Sequence, residues 1–324
     1  MQLTLYKVEI TNLITNPFTL AILPDTQIYT ESYPDIFTKQ TQWIVDNIEK
    51  LDITFVLHEG DIQNSNTADQ WQRAYSSMSL LDGKIPYAVV KGNHDMGPDG
   101  KCEIRESPLF DQFFPLDKFS GLNTFGGTFD STLLDNSYHL FEKADIGWLI
   151  LALEYLPRDR VLEWANDITA SYTDRKVIIL THSHVYKDNK LHGVEPVSTD
   201  NLGILNSPEG ANNGLQTWDK LISKHNNMSL VFNGHFLDIG RFTAKGDNGN
   251  IVHQMLANYQ DMEKGGSGYL RLAYFDPSNK QVQIKTYSPY LDSYLSDGSN
   301  EFILENCKVL WANVTVNGST DIVG

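Results

Sequence analysis

Ile85-Pro86-Tyr87-Ala88-Val89-Val90-Lys91-Gly92-Asn93-His94-Asp95 is the stretch from which the fold is read. Its first six residues form a short, mostly apolar run, the pattern of a buried strand. Gly92 has no Cβ and lets the backbone turn sharply after it. Asn93, His94 and Asp95 then set an amide, an imidazole and a carboxylate in consecutive positions at the strand's carboxyl end. Taken alone, such a stretch is a polar turn. It gains meaning because other apolar runs in the chain end in the same chemistry.

Upstream, Phe18-Thr19-Leu20-Ala21-Ile22-Leu23 runs into Pro24-Asp25-Thr26-Gln27, and Ile53-Thr54-Phe55-Val56-Leu57 into His58-Glu59-Gly60-Asp61. Apolar spacing predicts a helix over 37–50, and Thr67 caps a second one that stops near Asp82-Gly83. Strand, helix, strand, helix, strand implies a largely parallel α/β core. Downstream, 138–141 and 148–153 read as an antiparallel pair. The run 176–180 ends in Thr181-His182-Ser183-His184, and 229–232 ends in Asn233-Gly234-His235. Helices are predicted over 158–172 and 215–225. After Arg241 the chain reads as all-β, with strands over 251–259, 268–276 and 281–287. Residues through Thr15 read as a strand or lead-in. The segments near 96–136 and 186–213 carry no clear period and read as insertions.

The 324 residues suffice for an ample core, and 41% hydrophobic with 20% charged residues marks a globular chain. A net charge of −16 argues against non-specific nucleic-acid binding, which depends on Lys and Arg at phosphates. It leaves an anionic substrate open, because bound metal ions reverse the local field. Cys102 and Cys307 fit no metal-finger spacing and read as free thiols, with a disulfide as the alternative. No apolar run approaches the ~18 residues of a membrane span. No signal peptide is visible at the start; the compartment is cytoplasmic by default, or extracellular if a leader has been removed.

Open α/β sheets gather their binding groups beyond the carboxyl ends of the strands. Here five strand ends carry Asp25, Asp61, Asn93 with His94, His182 and His235. Each alone has an ordinary explanation as a turn, cap or packed residue. Together, carboxylates, an amide oxygen and imidazoles form a ligand set for divalent metals.

In this order the five blocks resemble the calcineurin-like metallophosphoesterases, over roughly residues 18–240. That family's pattern runs Asp-x-His, Gly-Asp, Gly-Asn-His-Asp/Glu, a lone His after a strand, and Gly-His-x-His. The chain has Asp25-Thr26-Gln27, Gly60-Asp61, Gly92-Asn93-His94-Asp95, His182 and Gly234-His235-Phe236-Leu237. The resemblance implies an α/β sandwich of two mixed β-sheets flanked by helices. It implies a single domain over 1–324, whose β-rich part, 251–324, completes the second sheet. It also implies hydrolysis of a phosphate monoester or diester by a metal-bound hydroxide, with two divalent ions (Mn, Fe, Zn or Mg). Asp61 would bridge the ions. Asp25 and Gln27 would hold the first, and Asn93, His182 and His235 the second. His94 would protonate the leaving group and Asp95 would orient it. The substrate would be a small-molecule or surface phosphate ester.

Two positions depart from the pattern, both at the first metal. Gln27 stands for a His, as in an Asp-x-Gln branch of the family, and Leu237 stands for the last His. Asp238 reaches the site only if the turn bulges. The departures leave an alternative reading, a catalytically weak metal-binding scaffold or interaction protein on the same fold. A separate carbohydrate- or surface-binding module in the last part of the chain is a third. His184 contacts substrate or lines the rim; His58 supports the ligands or packs in its strand. Phe110, Phe113, Phe114, Phe119 and Phe125 form an apolar wall, a nucleobase platform or the first insertion's own core. Lys101, Arg105 and Arg241 are phosphate-clamp candidates by location.

Overall fold

The structure, a computed structural model, describes residues 16–193, 204 and 208–305. The reading of residues through Thr15, part of the second insertion and Cys307 lie outside them. In chain order the strands are β1 (Phe18–Leu23), β2 (Ile53–His58), β3 (Tyr87–Val89), β4 (Phe125–Thr128), β5 (Ser137–Lys143), β6 (Ile146–Ala152), β7 (Arg175–Leu180), β8 (Met228–Asn233), β9 (Asp238–Lys245), β10 (Ile251–Asn258), β11 (Leu270–Asp276), β12 (Gln281–Ser288), β13 (Ser293–Leu295) and β14 (Phe302–Ile303). The α-helices among the described residues are α1 (Gln27–Ser32), α2 (Pro34–Asp46), α3 (Ile48–Leu51), α4 (Ala68–Met78), α5 (Pro108–Phe113), α6 (Leu116–Ser120), α7 (Asp159–Ser171), α8 (Gly214–Lys220) and the short α9 (Glu263–Gly266).

The strands make two mixed sheets. One has the order β13-β12-β11-β1-β2-β3, with β14 also on β12; the other runs β4-β5-β6-β7-β8-β10-β9. β1, β2 and β3 are parallel, and so are β6, β7, β8 and β10. The sheets pack face to face. Leu20, Ile22, Phe55 and Leu57 of one meet Trp148, Ile150, Ile178, Leu180 and Phe232 of the other. The alternate residues Ala21, Leu23 and Val56 point outward to Phe37, Ile44 and Trp71 on the covering helices. Burial on both faces is why these strands read as unbroken apolar runs. Helices α7 and α8 cover the second sheet, with Val161, Leu162 and Ala165 against Leu149, Val177 and Val231.

Several expectations are corrected. The helix over 37–50 is two helices, because the Asn47 side-chain amide takes the Trp43 carbonyl at 2.8 Å and competes with the helical ladder. The short helix α1 and the edge strand β9 were not anticipated. The phenylalanines of the first insertion do not form a core of their own. Phe110, Phe113 and Phe114 surround Trp71 of α4 with ring centroids 5.9–6.4 Å apart, and Phe119 packs on Tyr87. The C-terminal strands are divided between the sheets: β10 lies beside β8, while β11 and β12 extend the sheet of β1.

Candidate metal centre

Because β1–β3 and β7, β8 and β10 are parallel within their sheets, their carboxyl ends bring polar residues from both sheets together. Asp25 and Gln27 follow β1, Asp61 follows β2, Asn93 follows β3, His182 follows β7 and His235 follows β8. Ligand-type atoms of Asp61, His182 and His235 lie within 4.8 Å of one another. Asp61 and His235 both take left-handed backbone conformations (φ 47° and 72°), uncommon outside glycine and costly unless the surroundings enforce them.

His182 is fully buried. Its Nδ1 donates to the Glu59 carbonyl oxygen at 2.7 Å, so Nε2 faces Asn93 Oδ1 at 3.2 Å and Asp61 Oδ1 at 3.3 Å. Protonated, the ring donates Nε2–H to these oxygens; a divalent ion would replace that proton and take the Nε2 lone pair. Burial works against charge on His182, but the Asp61 carboxylate beside it prevails and pushes the imidazole up to about 9. Asp61 Oδ1 also accepts the His94 N–H at 2.9 Å. Against the cost of burial, His182 and then His94 hold the Asp61 carboxyl below the usual range. Burial lowers the His235 imidazole well below its ordinary value, and the nearby His182 adds to the effect.

Asp25 is buried, and burial raises its carboxyl well above the usual range. Its oxygens accept the His235 N–H at 3.2 Å, and Oδ2 also accepts Asn258 Nδ2 at 2.8 Å. Gln27 is buried beside it, and its Oε1 has no hydrogen-bond donor. A Cβ on Gly92 would fall on Asp61 Oδ1, and one on Gly234 would fall on Asp25 Oδ1, so each glycine leaves room for a carboxylate. The donor set and the orphaned amide oxygen fit divalent ions.

The expectations for Asp95 and His184 are corrected, and the alternatives left open for Asp238 and His58 are decided. Asp95 does not orient the His94 ring. Its carboxylate instead accepts N–H groups of Gly92, Ile62 and Gln63 at 2.8–3.2 Å, which fixes the turn. His94 Nδ1 donates to the Asn64 carbonyl oxygen at 2.7 Å. Leu237 is 39% exposed, and Asp238 is an exposed residue at the start of an edge strand, its Oδ1 taken by the Ile239 N–H. The turn therefore does not bulge toward the site. His184 is buried away from the ligand cluster with Nε2 2.6 Å from Gln254 Oε1. His58 packs behind the site against Phe37, its Nε2 3.0 Å from Thr26 Oγ1.

Of the phosphate-clamp candidates, Arg105 is committed to the carbonyls of Tyr155 and Leu156 and to the buried Glu154, and Arg241 lies over the Phe302 ring. Lys101 is exposed. Two neighbours of the ligands escaped the sequence reading. Tyr155 lies just beyond β6, its hydroxyl 3.5 Å from His235 Nε2. Asn258 ends β10, where Leu256-Ala257-Asn258 repeats the signal of an apolar run closing on a polar group.

A profile of the calcineurin-like phosphoesterases matches residues 18–238. The chain belongs to that family. Its two mixed sheets with flanking helices form the family's α/β metallophosphoesterase sandwich, and the Asp61, His182 and His235 cluster is a candidate site for the divalent metals the family binds. This calcineurin-like phosphoesterase is 34% identical over 283 residues to the uncharacterized protein YvnB of Bacillus subtilis (strain 168). That match covers 85% of the chain but 20% of YvnB, so the chain spans about a fifth of the length of this curated relative. Similar solved structures include GAP50, titled the anchor in the inner membrane complex of Plasmodium. It has a TM-score of 0.49 at 12% identity and covers 90% of this chain and 92% of that one. The NAD nucleotidase NadN of Haemophilus influenzae has a TM-score of 0.44 at 12% identity, covering 90% and 49%. No helix among the described residues is long and apolar enough to cross a membrane.

Proposed function

We propose that this domain hydrolyses phosphate esters at two divalent ions. Asp25, Gln27 and Asp61 would hold the first, and Asp61, Asn93, His182 and His235 the second. The observation that carries the reading is the convergence of Asp61, His182 and His235 at the carboxyl ends of strands from both sheets. When bound, such ions supply Lewis acidity at phosphoryl oxygens and make water nucleophilic near neutral pH.

The chain's own groups do the rest. The Glu59 carbonyl fixes the His182 ring, so that Nε2 is the atom that would coordinate. The His94 N–H holds one Asp61 oxygen in place. The His94 ring donates Nδ1–H to Asn64, which leaves Nε2 as the atom that carries a proton to the departing alkoxide. Asp95 ties the turn bearing Asn93 and His94 to residues 62 and 63 after β2. A cleft of about 460 Å³ opens beside Asn258, lined by Leu237, Ile239, Met262 and Leu295 together with Lys187, Asp238, Asp261 and Asp297.

Assays of aryl phosphate mono- and diesters with added Mn²⁺ test the reading. Asp61→Ala and Asn93→Ala are expected to abolish turnover. Full activity in either variant overturns the mechanism. The absence of a His at 237 favours one second reading, a metal-binding scaffold without turnover. An inactive wild-type domain with a filled metal site would select it.

A further inference from the structure

We propose that the loop after β10 supplies what position 237 lacks, with Gln260 Oε1 as a ligand of the first metal and Asn258 as the residue that positions Asp25 for it. The inference rests on the two-ion reading above. β10 is parallel to β8, with Leu256 opposite Asn233, so its carboxyl end emerges beside Gly234-His235. It is a further strand end at the edge where the five blocks meet. On the other side β10 pairs with β9, and Asn258 lies opposite Asp238. Leu237 and Asp238 thus sit on the outer rim, and Asn258 on the inner one.

The Asn258 amide is fixed at both ends. Its Nδ2 donates to Asp25 Oδ2 at 2.8 Å and to the His235 carbonyl oxygen at 3.2 Å. Its Oδ1 accepts the Gln260 N–H at 3.0 Å. Only one orientation of the amide satisfies these partners. Asn258 therefore holds the Asp25 carboxylate and has its own oxygen committed, which makes it a positioning residue rather than a ligand.

Gln260 is different. Its Oε1 is buried and accepts no hydrogen bond, and Gln27 Oε1 is in the same condition. Folded proteins rarely leave such oxygens unused. Both glutamines are tied to Asp25, Gln27 by sequence and Gln260 through the bond of its N–H to Asn258. Gln27 lies two residues beyond Asp25, and Gln260 lies two residues beyond its partner Asn258. The segments that carry them are packed together. The Gly268 N–H donates to the Tyr29 hydroxyl at 2.9 Å, and a Cβ on Gly265 would strike the Ile28 side chain. Two amide oxygens with the carboxylates of Asp25 and Asp61 make an all-oxygen set, suited to Mn²⁺ or Mg²⁺. The imidazoles of His182 and His235 give the other site a nitrogen-bearing set, so the two sites differ in preference.

The experiment is Mn²⁺ titration of the full chain, stripped with chelator, followed by calorimetry and by electron paramagnetic resonance. The wild type is compared with Gln260→Ala, Gln260→Glu and Asn258→Ala. The wild type is expected to take two equivalents. Gln260→Ala weakens one of them by about 10–100-fold and leaves the other unchanged, as loss of a supporting or coordinating group does. Gln260→Glu keeps an oxygen donor and retains or tightens that equivalent. Asn258→Ala weakens the same equivalent, whereas a merely structural Asn258 would lower the melting temperature in chelator and leave Mn²⁺ affinity alone. An unchanged titration in Gln260→Ala overturns the assignment, whatever the stoichiometry. A wild type that takes a single equivalent sinks the two-ion reading instead, and the Gln260 assignment is then decided by whether its variant weakens that one.

Discussion

His182 Nδ1 donates to the Glu59 carbonyl at 2.7 Å, and this bond turns Nε2 toward Asp61 Oδ1, 3.3 Å away. Glu59 stands two residues before Asp61, so one short segment after β2 both orients the imidazole and supplies the carboxylate it faces. An ion held by this pair, as proposed, would bind the folded chain and not the unfolded one. Mn²⁺ at about 100 times its dissociation constant is then expected to stabilise the fold by about 2.7 kcal/mol. Thermal melts with chelator and with Mn²⁺ measure this. His182→Ala should lose most of the Mn²⁺-dependent increment. A wild-type melt indifferent to Mn²⁺ would contradict the site.

His94 and Asp95 are adjacent, yet they do separate work. The His94 ring reaches the Asn64 carbonyl, while the Asp95 carboxylate gathers backbone N–H groups from both sides of the turn. His94→Ala should leave stability nearly unchanged. It should slow alkyl phosphates far more than activated aryl phosphates, because only a poor leaving group needs the proton. Asp95→Asn aims an amide N–H₂ at donors and should cost roughly 1–3 kcal/mol by chemical denaturation, with turnover lost equally for both substrate classes. Equal losses on both classes for His94→Ala would remove it from the leaving-group side.

Gly234 has Asp25 Oδ1 where a Cβ would stand. Gly234→Ala should push the Asp25 carboxylate from its place between the His235 N–H and Asn258 Nδ2. The expected result is a folded protein, destabilised in chelator by roughly 1–3 kcal/mol, with about 10–100-fold weaker metal binding. Unaltered Mn²⁺ affinity in that variant would show that Asp25 need not sit there.

Much of this site was legible because parallel strands buried on both faces announce themselves as apolar runs, and the residues that close them are the residues that meet. Asp25, Asp61, Asn93, His182 and His235 close such runs, and the fold brings Asp61, His182 and His235 within 4.8 Å of one another. Asn258 and Tyr155 carry the same signal but fall outside the family pattern, so pattern matching passed over them. Contacts within the site were less legible. The family pattern pairs His94 with Asp95, whereas the turn at Gly92 gives the two side chains different partners. Asp238 was undecidable from spacing, because its position depends on β9, whose alternating exposure along an edge gave no apolar run. Likewise Asn47 divides a helix through a side-chain bond that apolar periodicity does not register.

His139 lies in the core, away from the ligands, between the rings of Phe55 and Phe125, with Nε2 3.3 Å from Ser137 Oγ. Burial drives its imidazole down to about 3. The unfolded chain takes up a proton at this residue below about pH 6.5, whereas the folded chain does not until about pH 3. The stability contributed by the neutral ring is therefore complete above pH 6.5 and is lost as pH falls toward 3, by up to about 1.4 kcal/mol per unit. Carboxylates also titrate in the lower part of that window, so the informative quantity is a difference between proteins. His139→Phe keeps an aromatic ring against Phe55 and removes the proton uptake. Its unfolding free energy should decline less between pH 6.5 and 5 than that of the wild type, by about 2 kcal/mol at pH 5. Parallel declines in urea titrations at the two pH values would mean that the folded chain accommodates the His139 cation.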